Sequence, residues 1–386
     1  MYLNDRNKLQ IGYVCSVDYD DEDGNVYTES YNSVQSAING IVESGQNDRT
    51  IKMLVNSTMS DNGAEFYTGD KTLQNVINYT LDLNGKYIDC SACDEYALYV
   101  YPGTNVTITD SKSKAGVAGP GAIKNGISAI NVLGSLTLDS GVITGFSNIY
   151  SQNAGTAVTV SSFSKGSDTY SGKFVMNDGY IYGNGEETTS VGSMASPVYV
   201  DTGAEFIMNG GVIGGNGSDQ AGNVVYGCGG GVTNHGTFTL NDGEIAYNEA
   251  LYGLKVRYAG YAGGVFNDGM FNMAGGKIYN NQVNSYGGGG VYNAYRVDDA
   301  GNPTSVFNMT GGGIYGNVVD NDGSAYGMGV MNYCVFTMNG EDAFISNNYA
   351  QNFTESYGGG VYNQGTFTLL NGHIGAYDTY DGNTAD

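Results

Sequence analysis

GGGVTNHGTFTLNDGEIAYN at 229–248 and AGGVFNDGMFNMAGGKIYNN at 262–281 are two copies of one pattern. Each opens on a glycine run, then places a Val (Val232, Val265) and an Asn two residues later (Asn234, Asn267). A Phe (Phe238, Phe271), a Leu or Met two further on, an Ile (Ile245, Ile278) and a closing Asn complete it. Apolar residues two apart carry the period of strands with one face turned inward, so helical repeats are excluded. The glycines mark corners, where positive φ and close backbone approach are needed. A unit of about three short strands cannot bury its inward faces alone, so the copies must stack.

Working outward, the second half of the pattern recurs as FVMNDGYIYGN (174–184), FIMNGGVIGGN (206–216), FNMTGGGIYGN (307–317) and FTLLNGHIGAY (367–377), the last without its final Asn. LTLDSGVITGF (136–146) is a weaker copy, and FTMNGEDAFISNN (336–348) carries an insertion before its Ile. The first half recurs as GGGVYN (288–293), GMGVMNYCVF (327–336) and GGGVYNQGTF (358–367). These repeats predict an all-β chain, a right-handed parallel β-helix (solenoid) of about ten coils, with each strand paired to its equivalent in the next coil. Val232, Val265, Val291, Val330 and Val361 form one inward column, Phe206 through Phe367 a second and Ile181 through Ile374 a third. Asn234, Asn267, Asn293, Asn332 and Asn363 share the inward parity of the Val column. An unpaired amide buried there costs ~2 to 7 kcal/mol, so a ladder of amides bonded to one another is expected.

The start of the chain differs. Val34, Ala37, Ile38, Ile41 and Val42 follow Asn32 or Ser33 and precede Gly45, which predicts a capped amphipathic helix laid across the first coil. CSVDYDDEDGNVYTES (15–30) reads as a hairpin before it. The division expected is 1–45 for the hairpin and capping helix and 46–386 for the β-helix, irregular over 46–170 and regular over 171–386. TIKMLV (50–55), TLDLNG (80–85) and NVTITD (105–110) are the first coils. After Ile374 the next GGGV strand is missing, which reads as a fragment of a longer array or as an uncapped coil open to end-to-end contact.

Composition narrows the partners. The chain has 386 residues, 62 of them Gly, and a formal net charge of −24, which repels phosphate backbones and anionic lipid. Neither nucleic-acid binding nor membrane insertion is expected, because no window approaches the apolar length of a spanning helix. The first ten residues, MYLNDRNKLQ, lack a signal-peptide layout, so any export signal has been trimmed or was never present.

The GG[GA]V and IxxN elements resemble the repeats of chlamydial polymorphic outer-membrane proteins. GGGVYNQGTFTLLNGHIG (358–375), with YNSVQSAINGIVESG and TLDLNGKYI, resembles adhesin-like β-helix domains on gut Gram-positive bacterial surfaces, within the pectin-lyase-like superfamily. The resemblance implies an extracellular or cell-surface protein that recognises a glycan or a host or bacterial surface protein. The alternatives are a polysaccharide lyase or glycoside hydrolase, and a structural filament segment.

Candidate binding residues follow from parity. The position between the Val and Asn columns points outward and reads Thr233, Phe266, Tyr292, Met331, Tyr362, an apolar stripe suited to sugar rings or to a protein partner, or to stacking on itself. The loops before the glycine runs vary most, and several end in Tyr, among them Tyr286, Tyr326 and Tyr357. No catalytic residue is assigned. His235, Asp298 and Asp299 echo elements of a polygalacturonase signature in reversed order, and Arg257 and Arg296 lie too far apart to act together. No metal ligand and no cofactor is assigned either. Ca²⁺ at Asp18–Asn25 is the one such reading the acidic runs invite; Tyr19 and Ser30 fall on ligand positions of an EF-hand register, so a polar turn accounts better for the run. The 5 Cys are not spaced as a disulfide framework or a zinc site.

Overall fold

Like residues lie over like. Val198, Val232, Val265, Val291, Val330 and Val361 are successive register partners in parallel strands. Phe174, Phe206, Phe238, Phe271, Phe307, Phe336 and Phe367 are partners in a second ladder. Ile143 through Ile374 form the third. The chain is a parallel β-solenoid of about nine turns, bounded on one side by a 10-stranded parallel sheet. This computed structural model describes residues 12–386 apart from 60–61, 70–75, 115–117, 148–155, 186–195, 219, 253–259, 286, 377, 379–380 and 385–386, plus the short strands Tyr2–Leu3 and Leu9–Gln10.

The core is a stack of identical layers. From Phe174 to Phe336 the phenylalanines are fully buried, and neighbouring rings stack at 4.6–4.9 Å, the spacing of paired strands. The inward asparagines bond one another, Asn234 to Asn267 to Asn293 to Asn332 to Asn363, at 2.6–2.8 Å. A second ladder runs through Asn184, Asn223, Asn248, Asn281, Asn317, Asn348 and Asn383 at 2.8–3.1 Å. Each of these amides also donates to the carbonyl of the preceding coil's Ile, as Asn281 does to Ile245 at 2.8 Å. The repeat alignment places Asn216 in this column, but Asn223 takes its place. The turn after Gly215 uses the Asn216 carbonyl for Ser218 and Gln220, and the ladder resumes at Asn223. Asn383 likewise stands in for the Asn missing from the last copy.

The glycine runs have a steric cause at the second ladder. A Cβ on Gly290 would lie 2.6 Å from Ile314 Cγ2 and 3.0 Å from Asn317 Nδ2, so the strand enters where no side chain fits. A sheet that the repeat pattern does not show fills part of the variable loops. Val224–Val225, Glu249–Ala250, Gln282–Val283, Val318–Asp320 and Tyr349–Gln351 stack in parallel, burying Val225, Ala250, Val283 and Val319 with Met328.

The N-terminal elements close the first coil. Cys15–Asp20 pairs antiparallel with Val26–Tyr31 and with Arg49–Met53, and the latter starts the parallel stack on Ile77–Asp82. The helix Val34–Ser44 is capped by the Ser33 hydroxyl, which accepts from the Ser36 amide, and by Gly45 at φ 68°. Val34, Ala37, Ile38 and Ile41 are buried in the same core as the ladders. The acidic hairpin tip is a self-contained turn. The Asp21 carboxylate accepts from the Asp23 and Asn25 amides and from the Asn25 side chain, which holds its pKa below the ordinary value.

Candidate functional site

Tyr326 and Tyr357 are register partners in a separate two-stranded sheet, while parity put Thr233, Phe266, Tyr292, Met331 and Tyr362 on the outward face of the valine sheet, between its inward Val and Asn. It did not show what covers them. Thr233 (0 %), Phe266 (8 %) and Met331 (3 %) are buried, so the apolar stripe is not exposed as expected. Phe266 packs with Cys228, Ala262 and Ala294, and a Cβ on Gly287 would come 2.7 Å from Met331 Sδ. The chain entering one coil therefore lies across the outward side chains of the sheet. Tyr292 is half-buried and stacks on Phe266 with ring centroids 5.6 Å apart. Tyr362 and Tyr326 are half-buried and meet at 4.9 Å, and Tyr357, 43 % exposed, stacks on Tyr326 at 5.3 Å. Tyr286 lies outside the described residues.

His235 and Arg296 are brought together, though not with Asp298. One oxygen of Asp268 receives both the His235 Nδ1 contact at 2.9 Å and the Arg296 guanidinium at 2.6 Å. Tyr199 and Phe266 flank the imidazole, with centroids 5.3 and 5.9 Å away. Asp298 instead closes its own turn with Ala300 and Asn302. Arg257 lies outside the described residues. Among the described residues Asp268 is the one carboxylate that meets Arg296, and the cluster ties successive coils together. Nearby, burial pushes the Cys228 thiol up to about 12, and the Asp268 charge adds to the effect. Cys15, Cys90, Cys93, Cys228 and Cys334 are all buried thiols.

One concavity was not read from the sequence. It lies near the helix end of the same outward face, a cavity of about 750 Å³ lined by Gln35, Asn62, Gly63, Glu65, Asp94, Glu95, Tyr96, Tyr99 and Tyr101. Register builds it. Glu65 and Tyr99 are partners at the outward position of adjacent strands, Ala64–Phe66 and Tyr96–Val100. Tyr99 donates to Glu95 at 3.0 Å and Tyr101 to Glu65 at 3.2 Å. The two rings are stacked, 6.1 Å apart at 16°, and Tyr96 meets Tyr99 edge-on at 5.6 Å. Gln35, from the helix, closes one side and accepts from the Glu65 amide at 2.7 Å. Burial and the neighbouring Glu95 push the Tyr99 phenol up to about 12, so it stays protonated and donates. The tyrosines are half-buried and the carboxylates exposed, which makes an aromatic floor with an acidic rim.

Fold and site together define a parallel β-solenoid repeat protein with internal asparagine ladders and a tyrosine-floored cleft beside its capping helix. No protein-family model, no curated protein and no solved structure matches the chain. Among the described residues, no helix is long and apolar enough to cross a membrane.

Proposed function

We propose that the solenoid is a cell-surface or extracellular recognition module of adhesin type that binds a glycan at the cleft by its helix. The observation that carries the reading is the set of half-buried tyrosines Tyr96, Tyr99 and Tyr101 beside Glu65, Asp94 and Glu95 in one cavity. Ring faces stack on the C–H faces of sugars, and fixed carboxylates accept from sugar hydroxyls. A volume of about 750 Å³ falls in the range of small-ligand sites. The likeness of GGGVYNQGTFTLLNGHIG (358–375), YNSVQSAINGIVESG and TLDLNGKYI to adhesin-like domains supports the surface placement, and the Tyr326, Tyr357 and Tyr362 group offers a second aromatic contact. A glycan array probed with the native chain, with Tyr99→Ala and with Tyr101→Ala tests it. Binding to a defined set of glycans that falls at least tenfold in both variants, with thermal unfolding unchanged, is the expected result. An array without binders, or binding that ignores both substitutions, overturns the reading.

A further inference from the structure

We infer that the cleft selects a sugar bearing a free, protonated amine; this rests on the glycan reading above and narrows it to a ligand class. Three carboxylates, Glu65, Asp94 and Glu95, line the cavity, and no Lys, Arg or His stands among its described lining residues. A ligand that covers these groups strips water from them. Neutral hydroxyls return only a hydrogen bond, whereas an ammonium returns a hydrogen bond together with the opposite charge.

The carboxylates are also held in place. The Tyr101 hydroxyl donates to Glu65 Oε1 and the Tyr99 hydroxyl to Glu95 Oε2, leaving the second oxygen of each without a partner among the described residues. The phenols that orient them are kept protonated, so they add donors and no charge. The ring faces then contribute twice, by stacking on the sugar and by attracting a cation held above them. Tyr99 and Tyr101 are stacked nearly parallel, so each ring fixes the orientation of the other. The formal net charge of −24 concentrates cations around the chain and raises the encounter rate.

Calorimetric titration of the full chain with a β-1,4-linked glucosamine tetramer and with its fully N-acetylated counterpart tests this at about pH 6, where amines are protonated and most carboxylates ionised. The expected result is at least tenfold tighter binding of the free amine, weakening as salt rises. Glu65→Gln with Glu95→Gln should remove that preference while leaving the weaker binding of the acetylated tetramer in place. Equal or tighter binding of the acetylated tetramer overturns the amine selectivity and leaves glycan recognition standing. If neither tetramer binds, the amine inference falls, and the array decides the broader reading separately.

Discussion

Val200 and Asn234 occupy the same inward position on consecutive coils, and the first asparagine ladder starts at that boundary. The Asn234 amide nitrogen is satisfied by Asn267 and by the Met270 carbonyl, but its own carbonyl oxygen is buried without a partner, because Val200 offers no donor. Val200→Asn places a donor against that oxygen and extends the ladder by one rung. Val132→Asn, two coils earlier in the same column, buries an amide between Val100 and Val160, where no ladder exists. Both lose a buried valine, worth about 1.5 to 3 kcal/mol. Only Val132→Asn leaves the whole amide without a ladder partner, a further ~1 to 3 kcal/mol. Urea unfolding should therefore find Val200→Asn the milder change; the reverse order would refute the ladder account. The tyrosines make a second residue-level prediction. Burial pushes Tyr99 and Tyr199 up to about 12, and Tyr31, Tyr79 and Tyr292 are also raised. Unfolded tyrosines titrate near 10. Above that pH the native chain retains protons that the unfolded chain has released, so stability declines as pH rises from about 10 to about 12. Melting temperature against pH, read with phenolate absorbance, should show the steepest loss in that window. Complete phenolate formation before the β-sheet signal is lost would contradict it.

At the scale of elements, legibility follows the length of the repeat signal. The helix could be read because its apolar spacing, Ser33 and Gly45 all fall within one short segment, and the structure uses each as anticipated. The Val, Phe and Ile columns were legible because a one-residue slip would turn every inward side chain outward, so their parity fixes register. The five-stranded sheet through Val225 and Ala250 was not legible. Strands such as Val224–Val225 and Glu249–Ala250 are too short to show a period. The exchange of Asn216 for Asn223 escaped for a related reason, since a loop that adds residues moves the ladder position without changing the motif. The buried outward stripe shows a different limit. Parity says on which side of a sheet Phe266 and Met331 lie, and only three-dimensional packing says that the adjoining chain covers them. The tyrosine cleft needs the helix, the corner at Gly63 and strands from separate coils to converge, and its one sequence trace is the outward parity of Glu65 and Tyr99.

At the scale of the whole molecule, a solenoid is a one-dimensional stack whose layers contact only their neighbours, so a coil with no neighbour on one side is open to association. At one end the hairpin and helix cover the sheet edge and the core cross-section. In the coil farthest from them, among the described residues, the strands Val361–Asn363 and Thr366–Ile374 each pair on one side, with Val330–Asn332 and Val335–Ser346. Val361 and Phe367 are only partly buried, whereas Val330 and Phe336 one coil earlier are fully so. Leu369 is 49 % exposed, Leu370 67 % and Ile374 38 %. A row of free backbone donors and acceptors beside apolar side chains is a template for another strand. The net charge of −24 opposes the approach of a second copy, and salt screens that repulsion. The 386-residue chain should therefore self-associate more strongly as protein and salt concentrations rise, measured as weight-average mass by light scattering. Leu370→Lys should restore the monomer mass, because it places a solvated charge on the edge without touching the inward columns, Leu370 standing outside the register that seats Leu369 on Met338. A mass that stays monomeric at every concentration, or an oligomer indifferent to the lysine, would show that this edge does not drive association.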